Sequence, residues 1–390
     1  MTPKEELLQL QQSINRTDGQ LIDLFLSRMT ICDRIADVKA AGNLAISNER
    51  REQEIINAVF GSEKVPENAK MEVAAYMRCI MALSKVRQTT KLLPANDLFF
   101  PASDAKPAKA AAELLIGYQG VEGAWGEHSA MQLFSGSPRK QYEYFDDVFD
   151  AVKAKEVDFG IVPIENTQSG AIGEVYDLLR RHSCYIVGQV WVSIAHCLLG
   201  VPGAAMQNVR EVFSHPEGFR QCHRFLKNKH WELTVSRNTA VAAQHIAEKK
   251  EFRNAAIGSR RAAKKYGLEL LAPDIMDNPK NKTRFIAIAE QPIYDATSNI
   301  TSITFSTADR SGALCSVLQV FMLAGINLSR IESRPAGHNR YRFFADLEAN
   351  VLDEVTASTL RQVAAECEYF EILGCYKTTE EDRTLYDQET

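Results

Sequence analysis

Apolar side chains set three different rhythms along this 390-residue chain. Between residues 5 and 90, Leu7, Leu10, Ile14, Leu21, Leu24, Phe25, Met29, Ile35 and Val38 recur every three or four positions, with no proline from Pro3 to Pro66. That is helical spacing. A helix over 5–41 would be roughly 55 Å long at 1.5 Å per residue, more than so short a segment can cover, so two copies are expected to pair along it. Gly42 and Asn43 supply a stop, and Ser47 or Asn48 a cap for a second helix with Glu49 and Glu52 in its first turn. A third helix is expected from about 68 to 90.

From Leu93 to Lys109 the period is lost among Pro94, Pro101 and Pro107, which reads as a linker; Phe99-Phe100 within it is suited to docking on a neighbouring domain. Short apolar runs then alternate with helical stretches. Strands are expected at 115–119, 157–163, 184–192, 210–213, 255–258 and 283–289, and helices near 146–155, 171–182, 216–228, 239–250 and 259–266. Such alternation predicts a mostly parallel α/β sheet, or two lobes with a cleft between them, with ligands at the carboxyl ends of strands. Residues 299–377 spell β-α-β-β-α-β, the ferredoxin-like order. The chain is therefore read as multidomain: an all-α segment (1–92), a linker (93–112), a two-lobed α/β domain (113–294), a βαββαβ domain (295–378) and a tail (379–390).

Composition narrows the function. The net charge of −5, without a long basic run, argues against nucleic acid or anionic membrane as partner. No apolar stretch approaches the ~20 residues of a membrane span. The first residues lack a signal-peptide pattern, so a cytoplasmic protein is expected. The eight cysteines are scattered without a C-x-x-C pair and read as reduced thiols, not as a metal site.

In the helical segment, Arg28 lies on the apolar stripe and Lys39 about three turns further along the same face. Cations facing inward call for an anionic partner, and a small dicarboxylate would satisfy them. With Arg51-Glu52 and Ser84…Gln88, this pattern resembles the all-helical chorismate mutase family. The resemblance implies that Arg28 holds a carboxylate, that Lys39 and Gln88 donate to the ether oxygen, and that Glu52 holds the ring hydroxyl. Arg51 and Ser84 would support the substrate. The chain departs from the family at Gln11, where an arginine is supplied across the dimer, and at Asn48, where an aspartate is usual; a weakened or vestigial mutase is an open alternative.

The central segment carries Glu165-Asn166-Thr167, Ser214-His215-Pro216…Gln221-Cys222, Asn238-Thr239-Ala240 and Thr283-Arg284-Phe285. These are mostly neutral hydrogen-bonding groups at strand ends, where a cleft would lie. Together they resemble the prephenate dehydratase family over 115–290, although Trp125-Gly126-Glu127 stands where that family has other residues. The resemblance implies Thr283, Asn166, Ser214 and Gln221 as catalytic, and Thr239, Arg284 and Glu165 as substrate-binding. Prephenate must lose CO₂ and a hydroxyl. Thr283, or failing it Ser214, would protonate the departing oxygen, and Arg284 would hold the pyruvyl carboxylate. No metal or cofactor is implied. The glycines at 117, 120 and 123 are spaced unlike a nucleotide fingerprint.

The last segment resembles the ACT regulatory fold at Gly312-Ala313-Leu314 and Glu332-Ser333-Arg334-Pro335. The resemblance implies phenylalanine binding at those residues. Expected partners are thus chorismate and prephenate as substrates, phenylalanine as effector, and a second copy in a homodimer or higher oligomer. Arogenate in place of prephenate, or a non-catalytic small-molecule binding protein, remain the alternatives.

Overall fold

The computed structural model describes residues 2–42, 44–46, 48–92, 100–101, 110–337 and 340–378. The expected stop at Asn43, the alternative cap Ser47, Phe99, most of the linker and the tail lie outside these.

Helix α1 (Pro3–Ala41) starts on a capping box: the Thr2 hydroxyl accepts from the Glu5 amide and the Glu5 carboxylate accepts from the Thr2 amide at 2.7 Å. Its second half packs Met29 and Cys32 on Ile80 of α3 (Lys70–Leu92). Helix α2 (Glu49–Phe60), capped by the Asn48 side chain at 3.0 Å from the Arg51 amide, packs Ile56 on Ala74 and Met81 of α3. The first half of α1 covers nothing: Leu7, Leu10, Ile14 and Leu24 are each more than half exposed, between 56% and 68%.

The central segment forms two sheets, hence two lobes. One is six-stranded: β1 (Ile116–Gln119), β2 (Arg139–Tyr142), β3 (Phe159–Asn166), β5 (Tyr185–Ser193) and β11 (Lys282–Ala289) in the order β2-β1-β3-β11-β5, with β4 (Gly170–Ala171) beside β3. The other is five-stranded: β6 (Cys197–Gly200), β7 (Glu211–Ser214), β8 (Glu232–Val235), β9 (Asn254–Gly258) and β10 (Glu269–Ala272), in the order β10-β6-β9-β7-β8. The expected mostly parallel sheet is corrected here, because β11 runs antiparallel to both β3 and β5, and β6 antiparallel to both neighbours. Strand direction leaves no trace in an apolar run. β2 and β8 escaped the pattern because Arg-Lys-Gln-Tyr and Glu-Leu-Thr-Val are polar edge strands. The helices are α4 (Trp125–Leu133), α5 (Phe145–Lys153), α6 (Gly173–His182), α7 (Pro216–Gln221), α8 (His223–Leu226), α9 (Thr239–Lys249) and α10 (Arg260–Tyr266). The single helix expected over 216–228 breaks at Cys222.

The last segment is a four-stranded antiparallel sheet: β12 (Ile300–Ser306), β13 (Leu328–Pro335), β14 (Tyr341–Leu347) and β15 (Tyr369–Tyr376), ordered β13-β14-β12-β15, with α11 (Ala313–Leu323) and α12 (Glu354–Glu366). It is fused to the central domain rather than tethered. Ile300, Phe344, Leu373 and Tyr376 share one buried cluster with Val148, Ile286 and Ile288. Gly374 lies so close to the Ile186 carbonyl of β5 that a Cβ would collide with it, which makes glycine a requirement there. Phe100 does dock, packing on Tyr185 and Tyr294 with ring centroids at 5.5 and 5.1 Å. Among the described residues no helix is long and apolar enough to cross a membrane.

Candidate functional site

Strands β3 and β11 end side by side, with Asn166 opposite Thr283 in register. Asn166 is oriented by its own turn, because its Oδ1 accepts from the Gln168 and Ser169 amides at 2.9 and 3.1 Å. Its Nδ2 must then face the sheet, and it donates to Thr283 Oγ1 at 2.9 Å and to Asn281 Oδ1 at 2.8 Å. With a lone pair occupied by the amide, the Thr283 hydroxyl is left to donate.

Both residues line a cleft of about 330 Å³ between the lobes. From the first lobe come Gln119, Trp125 and Phe285; from the second come His215, Gln221, Arg237 and Thr239. Asn238 caps α9 by accepting from the Val241 amide, which brings Thr239 to the cleft in the first turn. A relay fixes the far wall. Gln221 Nε2 donates to Glu217 at 2.9 Å, which turns Gln221 Oε1 toward His196 Nε2 at 3.0 Å. His196 therefore carries its proton on Nε2 and holds a bare, buried Nδ1 in the cleft wall. Burial pushes its pKa down to about 4, against a smaller opposing effect of the Gln221 hydrogen bond, so the ring is neutral at pH 7. Burial likewise lowers His215, whose Nδ1 accepts from the Glu217 amide as a helix cap.

Three of the expected residues are elsewhere. Arg284 and Glu165 sit one position along from Thr283 and Asn166, on the reverse face of the sheet. Arg284 donates to Asp346 Oδ2 at 2.6 Å, and Glu165 lies 2.8 Å from Arg330 Nε, both partners belonging to the C-terminal sheet. Neither borders the cleft in this structure. Ser214 is fully buried and donates to the Ile257 carbonyl at 3.2 Å, beneath the cleft rather than in it. Sequence reasoning missed Arg237, the arginine of the cleft wall, which adjoins a motif that was read from Asn238 onward. It also missed His196, a lone histidine before an apolar strand, for which the sequence carries no signal.

In the helical domain, Arg28 bonds the Ser84 hydroxyl and reaches the Ile80 carbonyl at 3.4 Å. Lys39 Nζ lies 3.0 Å from Gln88 Oε1 and 2.5 Å from the Ile46 carbonyl. These four residues form one polar seam between α1 and α3. Glu52 belongs to a different contact: Lys85 lies 3.4 Å from it and 2.8 Å from Glu366 of α12. Arg51 points outward to Glu54 at 3.2 Å, and Gln11 stands exposed on the bare half of α1.

In the C-terminal domain, Gly312 takes φ +83, a left-handed conformation that suits glycine, and starts α11 directly before Ala313 and Leu314. It lines a cavity of about 490 Å³ shared with Arg78, Lys85 and Glu366, and none of Glu332 to Pro335 borders that cavity. On β13, Arg334 lies 3.8 Å from Asp177 of α6 and Glu332 4.0 Å from Arg330, while Ser333 and Pro335 are exposed.

Comparison with known proteins agrees with this division. The prephenate dehydratase family model matches residues 116–293, the type II chorismate mutase model 10–89 and the ACT domain model 301–365. The chain is 36% identical over 313 residues to an arogenate dehydratase/prephenate dehydratase of Arabidopsis thaliana, covering 76% of this chain and 81% of that protein. It is 28% identical over 386 residues to the bifunctional chorismate mutase/prephenate dehydratase of Escherichia coli (strain K12), covering 96% and 97%. Among solved structures, prephenate dehydratase from Arthrobacter aurescens in complex with L-Phe superposes with a TM-score of 0.62 at 26% identity, over 69% of this chain and 91% of that one. Matching motifs, cleft and relatives converge on one statement: the chain belongs to the prephenate dehydratase family.

Proposed function

We propose that this protein converts chorismate to prephenate in residues 1–92 and prephenate to phenylpyruvate in residues 113–294, under phenylalanine control through residues 295–378. The observation that carries the reading is the hydrogen-bonded pair Asn166–Thr283 opening on a cleft whose central groups are neutral. In the second step the C4–O bond breaks as Thr283 gives its proton to the departing oxygen, which leaves as water; Thr283 regains a proton from solvent. The bonding pair of the ring carboxylate passes into the ring, CO₂ departs, and aromatisation drives both losses. Neutral amides suit this step, since a cation gripping that carboxylate would stabilise the ground state it must leave. Arg237, which lines the cleft while bonded to Glu143, replaces Arg284 as the group for the pyruvyl carboxylate and would exchange Glu143 for it. Trp125 and His196 line the same cleft, and their Nε1 and Nδ1 are buried without a hydrogen-bond partner among the described residues.

The mutase step needs only compaction of a dianion and donors at the ether oxygen, for which Lys39 and Gln88 lie side by side. Gln11 would come from a second copy along the bare stripe of α1. The same dimer, or a higher homo-oligomer, would bring the Gly312–Leu314 turn of one copy to the Glu332–Pro335 strand of another as the phenylalanine site. The L-Phe complex of the Arthrobacter aurescens relative supports that effector. Arogenate is the second reading, favoured by the name of the Arabidopsis relative and by Glu217 in the cleft wall, an anion for its ammonium.

Purified full-length protein supplied separately with chorismate, prephenate and arogenate tests all three. Phenylpyruvate from both of the first two is expected. Phenylalanine from arogenate alone would shift the substrate, turnover of prephenate but not chorismate would make the helices a dimerising element, and no turnover of any would refute the reading.

A further inference from the structure

Two neighbouring positions on each of two paired strands face opposite ways. Asn166 and Thr283 face the cleft; Glu165 and Arg284 face the C-terminal sheet. The reverse side is a closed polar cluster. Arg284 Nη1 lies 2.6 Å from Asp346 Oδ2 and 3.7 Å from Glu165, and its Nη2 donates to the Tyr376 hydroxyl at 3.0 Å. Ser302 donates to Asp346 Oδ1 at 2.5 Å and lies 2.8 Å from the Tyr376 hydroxyl. Arg330 joins Glu165 at 2.8 Å and covers the Tyr176 ring at 5.2 Å. Arg284, Asp346, Ser302 and Tyr376 are all at most 6% exposed. Ion pairs this deep are held in one geometry, because any other would leave a charge buried and unpaired. Burial alone would raise the Asp346 carboxyl, but Arg284, Arg330 and Ser302 together outweigh it and keep it below the usual carboxylate range, hence ionised.

The ladder between β3 and β11 also shifts register between Arg284 and Phe285, one step past Thr283. The extra residue of this bulge, Ile164, lies on β3, while β11 stays paired with β5 without a shift from Lys282 to Ala287. The clamp on Arg284 holds β11 from the face opposite Thr283, in addition to its ladders.

We infer that Asp346, held by Ser302, is a positioning residue for the dehydratase reaction: through Arg284 it fixes the strand that aims the Thr283 hydroxyl into the cleft. The C-terminal domain thus contributes to turnover in the absence of any effector, and a movement of its sheet reaches the reacting hydroxyl through one side chain. The inference rests on the reading that Thr283 is the proton donor. Misplacement of a reacting group by about 1 Å is enough to cost up to a hundredfold in rate.

The test uses the full chain with prephenate as substrate. Asp346→Asn is expected to lower kcat by about ten- to a hundredfold with KM changed less than about twofold, and Ser302→Ala to lower it less in the same direction. In a Thr283→Val background both effects should shrink to less than about twofold, because the group they aim is gone. A folded Asp346→Asn protein with the parent kcat, or a full loss added on top of Thr283→Val, overturns the inference. Should Asp346→Asn fail to fold, Ser302→Ala decides, since it keeps both charges: an unchanged kcat there overturns it equally. If Thr283→Val itself turns over at the parent rate, the donor assignment has failed, which is a separate result.

Discussion

The two regions that would handle substrate are built on opposite plans. The central cleft is lined by residues of one chain: its central polar groups are neutral, with Arg237 and Glu217 in its wall. They are oriented by backbone amides and by the Glu217–Gln221–His196 relay, and backed by a second domain. The helical seam is ionic and, on the proposed reading, is completed by a second copy. Arg28, Lys39, Ser84 and Gln88 meet between α1 and α3, while the first half of α1 projects with Gln11 and a row of leucines and isoleucines in the open. The difference follows from the chemistry. A step that expels a carboxylate is served by groups that do not hold it, whereas compaction of a dianion needs cations from several sides. One activity should therefore survive separation of the copies and the other should not.

The largest effect tests the cleft. Thr283→Val keeps the shape of the side chain and removes the hydroxyl, so kcat for prephenate should fall by about 10² to 10⁴ with KM nearly unchanged. Chorismate turnover should be unaffected, which separates loss of chemistry from loss of fold. A fall in both would place the damage in the structure rather than in the donor.

Next comes the contrast itself. Leu10→Glu with Leu24→Glu puts charge on the bare stripe, where each residue is more than half exposed in one copy, at 57% and 68%. Sedimentation should show dissociation, with chorismate turnover down by about a hundredfold and prephenate turnover within about threefold of the parent. Gln11→Arg in the intact assembly should raise chorismate turnover by about tenfold, since a charged donor there adds a carboxylate clamp. Equal losses in both activities would mean that the cleft also needs the dimer.

The sequence made the cleft residues legible because a strand-end Thr or Asn beside a turn can be located from the apolar run it closes. The alternation that betrayed Arg284 was equally on view: with period two, a Thr283 that faces the cleft sends Arg284 to the other side, as Asn166 does Glu165. A motif read as a block hides this. Strand direction was not legible, since Ile286 and Ile288 satisfy a buried strand either way. Nor was the union of the second and third domains, because Ile300 and Leu373 look alike whether they cover their own helices or another domain. That union has a practical consequence. Deleting residues from 299 onward would bare the cluster around Ile286, so point substitutions such as Ser302→Ala are the sound way to separate regulation from catalysis.

A smaller effect distinguishes the buried wall of the cleft from ordinary surface. His196 has a folded pKa of about 4 against 6.5 when unfolded. Between those values the unfolded chain binds a proton that the folded one refuses, so stability is full above pH 6.5 and falls as pH drops toward 4. At about 1.4 kcal/mol per pH unit, the loss from pH 7 to 5 should be about 2 kcal/mol by urea unfolding. His196→Asn should flatten that part of the curve. A parent protein with no such decline would mean that the ring is wetter than its position indicates.

The smallest effect bears on how far the helical site has drifted from its relatives. Asn48 caps α2 through its side chain, 3.0 Å from the Arg51 amide. Aspartate caps equally well, so Asn48→Asp should leave the melting temperature within about 2 °C, any gain coming from a full negative charge at the helix N-terminus. Its effect on chorismate turnover then reports on substrate contact alone. A rise of about threefold or less would mean that Asn48 now serves the helix and that the missing capacity lies at Gln11. A rise as large as that from Gln11→Arg would put both departures in the same site, and would make the seam between α1 and α3 only part of it.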